Sequence, residues 1–208
     1  MRLEKKPQKK VAPSKLFIAF DLPFELKRQL IANNRIFNKD GRNFSFVSVE
    51  QLHMTIKFLG PHISTGSKNK IISSLEGVLS GVKPIKLTIE SLKFGFPHQT
   101  IPRIVFYNIS PTKELDHLYK SVGYMLKKLD LPEILTTSFI KKNVYHLTVA
   151  RLKHQPNRGF GRKIRSLIRD FKFDPIEFEV KDVWLMESKI ERNGQPKYTY
   201  LHRFSLDR

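Results

Sequence analysis

Apolar and polar positions along this chain follow two periods, one typical of strands and one typical of helices. Short apolar or alternating runs predict strands at Leu16–Phe20, Leu52–Leu59, Ile85–Leu92, Arg103–Ile109, Val144–Leu152, Ile176–Met186 and Tyr198–Leu206. Apolar residues spaced three and four apart predict helices over Phe24–Ile31, Lys68–Leu79, a segment that Ser110-Pro111-Thr112 opens, and Gly159–Phe171. The chain therefore mixes strands and helices throughout its length.

The order of these elements repeats. A β-α-β-α-β series beginning at Leu16 recurs from Arg103, 87 residues later. The repeat predicts two duplicated lobes, packed about a pseudo-twofold axis with a cleft between them. At 208 residues the chain has the length of one large domain or of two small lobes that share a core.

Polar and turn-forming residues separate the predicted elements. Met1–Ser14 contains four lysines and two prolines, and we expect a basic, disordered arm there. The remainder, 15–208, is predicted to be a single two-lobed domain. Asn38–Asn43 and Leu131–Lys142 are predicted loops, and Asn193-Gly194 predicts a hairpin turn.

Composition limits the chemistry and the partners. The chain has no cysteine, which excludes thiol nucleophiles and disulfides, and 40% of its residues are hydrophobic, enough for a core. It has no run of about 20 apolar residues and no signal-peptide pattern at its N-terminus, so we expect a cytoplasmic protein. The formal net charge of +19 favours a polyanionic partner, with nucleic acid ahead of a membrane surface.

Two short strings carry the most specific signal. Leu52–Ile56 and Tyr145–Val149 both contain His-x-Thr, with an apolar residue at x and another after the threonine. Seven histidines and nine threonines in 208 residues predict roughly 0.05 such strings by chance. The alternative for each string taken alone is a strand histidine that makes a hydrogen bond in the core.

Strand geometry gives these strings a chemical meaning. Side chains alternate between faces, so each histidine shares a face with its threonine while the apolar residues anchor the strand. Two facing imidazoles, His53 and His146, can act as general acid and general base without a metal ion. The hydroxyls of Thr55 and Thr148 can stabilise negative charge that develops during such a reaction; the alternative is ordinary β-propensity.

Two cations lie close to the strings. Alternation places Lys57 on the face of His53 and Thr55, where it could reach a phosphate, although it could equally be a solvated residue at the strand end. Strict alternation places Arg151 on the face opposite His146. Either the strand ends or bulges by Ala150, or Arg151 supports the site from behind.

These residues resemble the RNA 2′,3′-cyclic phosphodiesterases, also called 2′-5′ RNA ligases, of the two-histidine phosphoesterase superfamily. The matching segments are Leu16–Pro23, Leu52–Gly60, Phe96-Pro97 with Pro102-Arg103, His146–Arg151, and Ser188–Ile190 followed by Gly194 and Tyr198. Tyr145 departs from the pattern, because the family usually has proline before the second histidine. The likeness extends from Lys15 to about Asp207.

The resemblance implies an α+β fold of two lobes, with antiparallel sheets flanking a central cleft. It implies a metal-independent enzyme that opens RNA 2′,3′-cyclic phosphate ends to 2′-phosphomonoesters. His53 would be the general acid for the O3′ leaving group and His146 the general base for water. The family pattern also places an arginine at Arg151 and another at Arg103, both as phosphate-binding residues.

Several alternatives stay open at this stage. Some members of the family join RNA ends through a 2′-5′ bond without ATP. The cleft could instead belong to a non-catalytic RNA-end-binding module, or to a phosphodiesterase for small cyclic nucleotides or 2′-5′ oligonucleotides. We expect no cofactor, because the chain has no G-x-x-x-x-G-K-[ST] loop. We also expect no metal site, because the remaining histidines lack ligand spacing. A monomer is the default expectation.

Overall fold

A computed structural model describes residues 14–97, 99–134, 144–191 and 194–207. Apart from Ser14, the predicted basic arm Met1–Ser14 lies outside the described residues, as does most of the predicted loop Leu131–Lys142. The strands are β1 (Lys15–Asp21), β2 (Phe44–Phe46), β3 (His53–Pro61), β4 (Ile85–Phe94), β5 (Ile104–Ile109), β6 (His146–Leu152), β7 (Ile176–Val180), β8 (Asp182–Ile190) and β9 (Pro196–Ser205). The helices are α1 (Phe24–Ala32), α2 (Thr65–Leu79), α3 (Lys113–Leu129) and α4 (Arg158–Asp170), with a 3₁₀ segment at Asn33–Asn43.

Side chains cap three of the helices at their first turn. The Thr112 hydroxyl accepts a hydrogen bond from the Leu115 backbone N–H at 3.1 Å and begins α3. Ser64 caps α2 through Ser67 N–H, and Asn157 caps α4 through Phe160 N–H at 2.8 Å. Each cap satisfies a backbone donor that has no partner within its own helix.

The strands form two antiparallel sheets, as predicted. One sheet has the order β3-β1-β8-β9 and the other β2-β6-β5-β4-β7. A single hydrophobic core cluster includes buried residues of both sheets together with the inner faces of all four helices. The α+β fold with antiparallel sheets and a cleft between them is therefore confirmed.

The two sheets do not divide the chain into halves. The third strand of the first half, β4, pairs with β5 of the second half, and β8 of the second half pairs with β1. The β-α-β-α-β order recurs as predicted, but each half contributes two strands to the sheet of the other half. Periodicity reports the type of an element and the face that it buries; it carries no information about the partner strand.

Two predicted boundaries were wrong. The run Ile176–Met186 is not one strand, because β7 pairs with β4 in one sheet and β8 pairs with β1 in the other. Val180 and Val183 are both buried, so the apolar pattern continues across the break and hides it. The predicted loop Asn38–Asn43 lies within the 3₁₀ segment, where the buried Phe37 anchors the turn in the core.

A β-bulge interrupts each of the two His-x-Thr strands. In β3, Thr55 is opposite Ala19 and Lys57 is opposite Ile18, which leaves Ile56 as an extra residue. Such an extra residue bends the strand and shifts the alternation of side chains by one position. The bulge in β6 is equivalent, and both determine which side chains reach the cleft.

Candidate active site

Both His-x-Thr strings line one cleft between the two sheets. The cleft has a volume of about 320 Å³, and its walls include His53 and Thr55 of β3 and His146 and Thr148 of β6. The apolar residue inside each string is buried in the core on the opposite face. The structure thus brings together the four residues that strand alternation places on one functional face.

A main-chain hydrogen bond orients the His53 ring. Its Nδ1 lies 2.7 Å from the carbonyl oxygen of Gln51, and its Nε2 lies 3.1 Å from Thr55 Oγ1. A carbonyl can only accept, so Nδ1 keeps a proton and Nε2 is the nitrogen that exchanges one. Gln51 is held in turn by its side-chain amide, which donates to the Pro196 carbonyl.

His146 is oriented in the same way. Its Nδ1 lies 2.8 Å from the carbonyl oxygen of Val144, two residues earlier, just as Gln51 lies two residues before His53. Its Nε2 is therefore also the proton-exchanging nitrogen. The two strings consequently repeat the same local hydrogen bond as well as the same residue types.

Aromatic rings hold both imidazoles from the side. The His53 ring lies 4.9 Å from Phe17 and 5.1 Å from Tyr198. The His146 ring lies 4.8 Å from Phe96 in an edge-to-face arrangement. These contacts cover part of each ring and leave few rotamers open to it.

Burial lowers the pKa of both histidines. It lowers the pKa of His53 to about 4, partly offset by the hydrogen bond to Gln51, and the charge of Lys27 lowers it slightly further. The pKa of His146 also falls below its usual value, mainly through burial and additionally through the charge of Arg151. In the ligand-free cleft both imidazoles are thus neutral near pH 7.

Arg151 lies on the cleft wall beside His146 and Thr148. In β6, Thr148 is opposite Phe106 and Ala150 is opposite Val105, so Val149 is the extra residue of a bulge. Val149 and Ala150 are consecutive residues and both are buried, which returns Arg151 to the face of His146. Of the two possibilities that the sequence leaves for Arg151, the structure shows the bulge.

The bulge in β3 has the opposite effect on Lys57. It places Lys57 opposite Ile18, whose side chain belongs to the core, and it places Phe58 on the cleft wall. The expectation that Lys57 continues the face of His53 and Thr55 was therefore wrong. Partial burial of Lys57 lowers its pKa.

Arg103 does not reach the cleft wall. Its guanidinium donates to the carbonyl oxygens of Leu152 and Lys153, both at 2.9 Å from Nη2. Arg103 thereby joins the start of β5 to the end of β6. The structure gives this side chain a role in holding strands together, in place of the phosphate contact that the resemblance implies.

Several cleft residues do not stand out in the sequence. Phe17, Phe58, Ser45, Gln51, Lys15 and Ser188 also line the cleft. Ser45 is opposite Arg151 in the register of β2 and β6, a pairing that no local pattern reports. Phe46 and Tyr198 also line the cleft, whereas Phe44 is buried.

The cleft wall suits an anion. Of the described residues that line it, two are cationic, Lys15 and Arg151, and none is an aspartate or glutamate. Among the described residues, no group of three or more histidine, aspartate or glutamate side chains is placed to hold a metal ion. Across the same part of the chain, none of the helices is long and apolar enough to span a bilayer.

Known proteins are similar to this chain in sequence. The family model of the 2′-5′ RNA ligase superfamily matches residues 27–190. An RNA 2′,3′-cyclic phosphodiesterase of Thermotoga maritima is 28% identical over 191 residues, covering 92% of this chain and 95% of the relative. One of Archaeoglobus fulgidus is 30% identical over 161 residues, covering 76% of this chain and 81% of the relative.

Solved structures share the two-sheet architecture. A protein of Thermus thermophilus superposes with a TM-score of 0.72 at 23% identity, covering 92% of this chain and 97% of its own. LigT of E. coli in its apo form superposes with a TM-score of 0.66 at 19% identity, covering 94% and 99%. Together with a family match that spans most of the sequence, this likeness shows that the chain belongs to the 2′-5′ RNA ligase superfamily.

Proposed function

We propose that this protein hydrolyses RNA 2′,3′-cyclic phosphate ends to 2′-phosphomonoesters, without a metal ion, by paired histidine catalysis. One observation carries the proposal. His53 and His146 line one cleft, and each is fixed through Nδ1 to a main-chain carbonyl, so that Nε2 exchanges the proton. The relatives in Thermotoga maritima and Archaeoglobus fulgidus, both named RNA 2′,3′-cyclic phosphodiesterase, support the same reaction.

In the proposed step, water attacks phosphorus as its proton passes to Nε2 of His146. The bond between phosphorus and O3′ breaks, and O3′ takes a proton from Nε2 of His53. The product carries a 2′-phosphate and a free 3′-hydroxyl, and solvent then restores both imidazoles. Each positioned proton transfer contributes about 10²–10⁴-fold to the rate.

Binding of the substrate would favour the protonated form of His53 that a general acid needs. The pKa of His53 in the ligand-free cleft is about 4, which leaves it neutral at pH 7. A bound phosphodiester anion favours the imidazolium and raises that pKa. Protonation of the acid is thereby coupled to substrate binding.

The negative charge that grows on the phosphoryl oxygens needs donors close by. Thr55 and Thr148 share the cleft wall with the two histidines, and the hydroxyl of Thr55 already lies 3.1 Å from His53 Nε2. Arg151 adds a guanidinium on the same wall, with the two-pronged geometry that suits a phosphate. Donors that a strand positions before substrate arrives are effective in the transition state, because little reorganisation is then needed.

The same groups could also join RNA ends. If a 5′-hydroxyl replaces water, His146 removes its proton, O3′ leaves as before, and a 2′-5′ phosphodiester forms. The superfamily whose model matches the chain is named after 2′-5′ RNA ligases. Whether hydrolysis or joining dominates depends on the concentration of 5′-hydroxyl ends relative to water.

The direct test uses an RNA ending in a 2′,3′-cyclic phosphate, incubated with the protein in excess EDTA. We expect complete conversion to a 2′-phosphate, identified by mass and by resistance to enzymes that require a 3′-phosphate. A 3′-phosphate product, or turnover that requires an added metal ion, contradicts the proposal.

Two variants separate catalysis from binding. His53→Ala and His146→Ala should each lower kcat by about 10²–10⁴-fold while RNA binding persists. His117→Ala is the matched control, because His117 is exposed on α3 and should keep wild-type turnover. If the wild-type protein binds the cyclic phosphate end tightly and never converts it, the chain is a binding module.

A further inference from the structure

Helix α4 presents a continuous row of arginines. Arg158, Arg162, Arg165 and Arg169 are spaced four, three and four residues apart, which places them on one face, and all four are exposed. The opposite face carries the buried Ile164 and packs against the core. The only acidic residue of the helix is Asp170, its last residue, and one of its carboxylate oxygens lies 3.1 Å from Nε of Arg169. The guanidinium of Arg165 lies over the ring of Phe94, 5.7 Å from its centroid. We call these four side chains the α4 arginine row.

The row begins beside the cleft. Phe46 on the cleft wall stacks on Phe44 with ring centroids 5.6 Å apart, and Phe44 lies 6.5 Å from Phe160 in the first turn of α4. Arg151, also on the cleft wall, precedes the helix by seven residues. The first turn of α4 therefore adjoins the wall that β2 and β6 form.

Positive charge continues between the cleft and the helix. Lys153 is exposed in the short connection from β6 to α4. In the part of the chain that the structure describes, neither Arg158 nor Arg162 forms an ion pair with a carboxylate. These two arginines are thus available to an anionic partner.

The rim formed by β8 and β9 differs in its charge balance. Lys189 lies 2.7 Å from a carboxylate oxygen of Glu187, and Lys197 lies 3.8 Å from one of Glu191. These two lysines are each paired with a carboxylate. On α4, Lys163 and Arg169 are paired in the same way, so the unbalanced charge on that side comes from the start of the helix. A polyanion that leaves the cleft consequently meets a more positive potential on the α4 side.

We propose that the α4 arginine row binds the sugar-phosphate backbone of the RNA segment that lies 5′ of the cyclic phosphate end. The inference rests on the proposed function for the identity of that end. Successive arginines lie about one helical turn, ~5.4 Å, apart along the helix, and each guanidinium can donate two hydrogen bonds to a phosphate. The apolar face of α4 is buried, so the helix cannot embed that face in a membrane surface.

The proposal makes the protein selective for chain length. A mononucleoside 2′,3′-cyclic phosphate fills only the cleft, whereas a longer RNA also contacts α4. The second interaction is mainly electrostatic and releases counterions, so it weakens as salt rises. Long RNA should therefore have a lower KM than the mononucleotide, and the difference should shrink at high salt.

The test replaces all four arginines by glutamine. In R158Q/R162Q/R165Q/R169Q, we expect the KM for a long RNA ending in a cyclic phosphate to rise roughly tenfold or more. Turnover of the mononucleoside cyclic phosphate reports on the cleft alone and should be unchanged. The slope of log K against log[salt] for RNA binding should fall by up to about 0.7 per lost phosphate contact.

A charge-matched control removes four exposed lysines of α3. K113Q/K120Q/K127Q/K128Q loses the same formal charge from a helix that does not line the cleft. Equal effects of the two quadruple variants on RNA would overturn the proposal, since only net charge would then matter. Loss of mononucleotide turnover in the α4 variant would also overturn it, because the arginines would then support the cleft itself.

A binding measurement separates this inference from the proposed function. The RNA probe carries a 3′-hydroxyl and is followed by fluorescence anisotropy, so no hydrolysis is needed. Weaker binding by the α4 variant than by the α3 variant supports the arginine row even if the wild-type protein hydrolyses nothing. Unchanged binding together with active hydrolysis overturns the row and leaves the proposed function intact.

Discussion

The hydroxyl of Tyr119 donates a hydrogen bond to the main-chain carbonyl of Thr55 at 2.6 Å, from helix α3 to strand β3. The ring of Tyr119 meets the ring of Tyr145 edge to face, with centroids 4.6 Å apart. Tyr145 directly precedes His146, and its hydroxyl donates to Asp116 on the same helix. One helix thus contacts both His-x-Thr strands and holds them relative to each other.

We expect Tyr119→Phe to separate positioning from binding. The Thr55 carbonyl loses its donor, which should lower the free energy of unfolding by about 1–3 kcal/mol. A small displacement of β3 should lower kcat by about tenfold and change KM little. Tyr124→Phe is the control, because Tyr124 lies on the same helix and is 70% exposed. Equal kinetics for the two variants would show that α3 does not position the site.

Replacement of Arg151 should weaken the phosphate interaction. A hydrogen bond to a charged group contributes about 1.5–3 kcal/mol, so Arg151→Gln should lower kcat/KM about 10- to 100-fold. Arg103→Gln should lower stability without this kinetic loss, because Arg103 donates to the main-chain carbonyls of Leu152 and Lys153. Steady-state kinetics and urea unfolding of both variants provide the measurement. Equal losses of kcat/KM in the two variants would show that the position of Arg151 on the cleft wall, which the β6 bulge produces, has no kinetic effect.

The pH dependence of hydrolysis should differ between the free protein and its complex. Burial lowers the pKa of both His53 and His146 below 6.5, and that of His53 to about 4. The reactive form carries one proton on the pair, so kcat/KM should be greatest between these values, on the acidic side of pH 6.5. A bound anion raises both pKa values, so the kcat profile should lie at higher pH. A kcat/KM maximum above pH 7 would contradict this expectation.

Stability should also depend on the proton affinity of His53. Its pKa is about 4 in the folded protein and near 6.5 when unfolded. The unfolded state therefore binds more protons between these values, and the free energy of unfolding falls as pH drops from 6.5 to 4. The loss due to His53 amounts to roughly 3 kcal/mol. Urea unfolding at several pH values should show a shallower decline for His53→Gln, and parallel curves would be the contrary result.

Two glycines with similar backbone angles should respond differently to alanine. Gly95 has φ of +77°, and a Cβ there would lie 2.2 Å from the Cβ of Pro102. Gly81 has φ of +75° and no heavy atom within 4 Å of the same position. We expect Gly81→Ala to lower the free energy of unfolding by about 1 kcal/mol, and Gly95→Ala by about 3 kcal/mol once overpacking is added.

The position of Gly95 gives that variant a second readout. Gly95 precedes Phe96, whose ring packs on His146 at 4.8 Å. A shift of the turn to relieve the contact with Pro102 would move this ring, so Gly95→Ala should also lower kcat. Equal unfolding free energies for the two alanine variants would show that the close approach to Pro102 relaxes without cost.

The local chemistry of the site could be predicted from the sequence alone. Each His-x-Thr string can be recognised in the sequence without a structure. Strand alternation alone places His53 with Thr55, and His146 with Thr148, on one face. Periodicity likewise located most strands and all four helices within a few residues, because it reports which face an element buries.

The tertiary structure decided which other residues join that chemistry. Pairing with β1 and β5 makes Ile56 and Val149 the extra residues of two bulges. As a result, Phe58 lines the cleft in place of Lys57, and Arg151 lies on the same cleft wall as His146. Bulges depend on the register between strands that are distant in sequence, and no local sequence pattern reports that register. The sequence by itself therefore determined the two His-Thr pairs, while strand pairing, bulges and the contacts of α3 determined how they face each other.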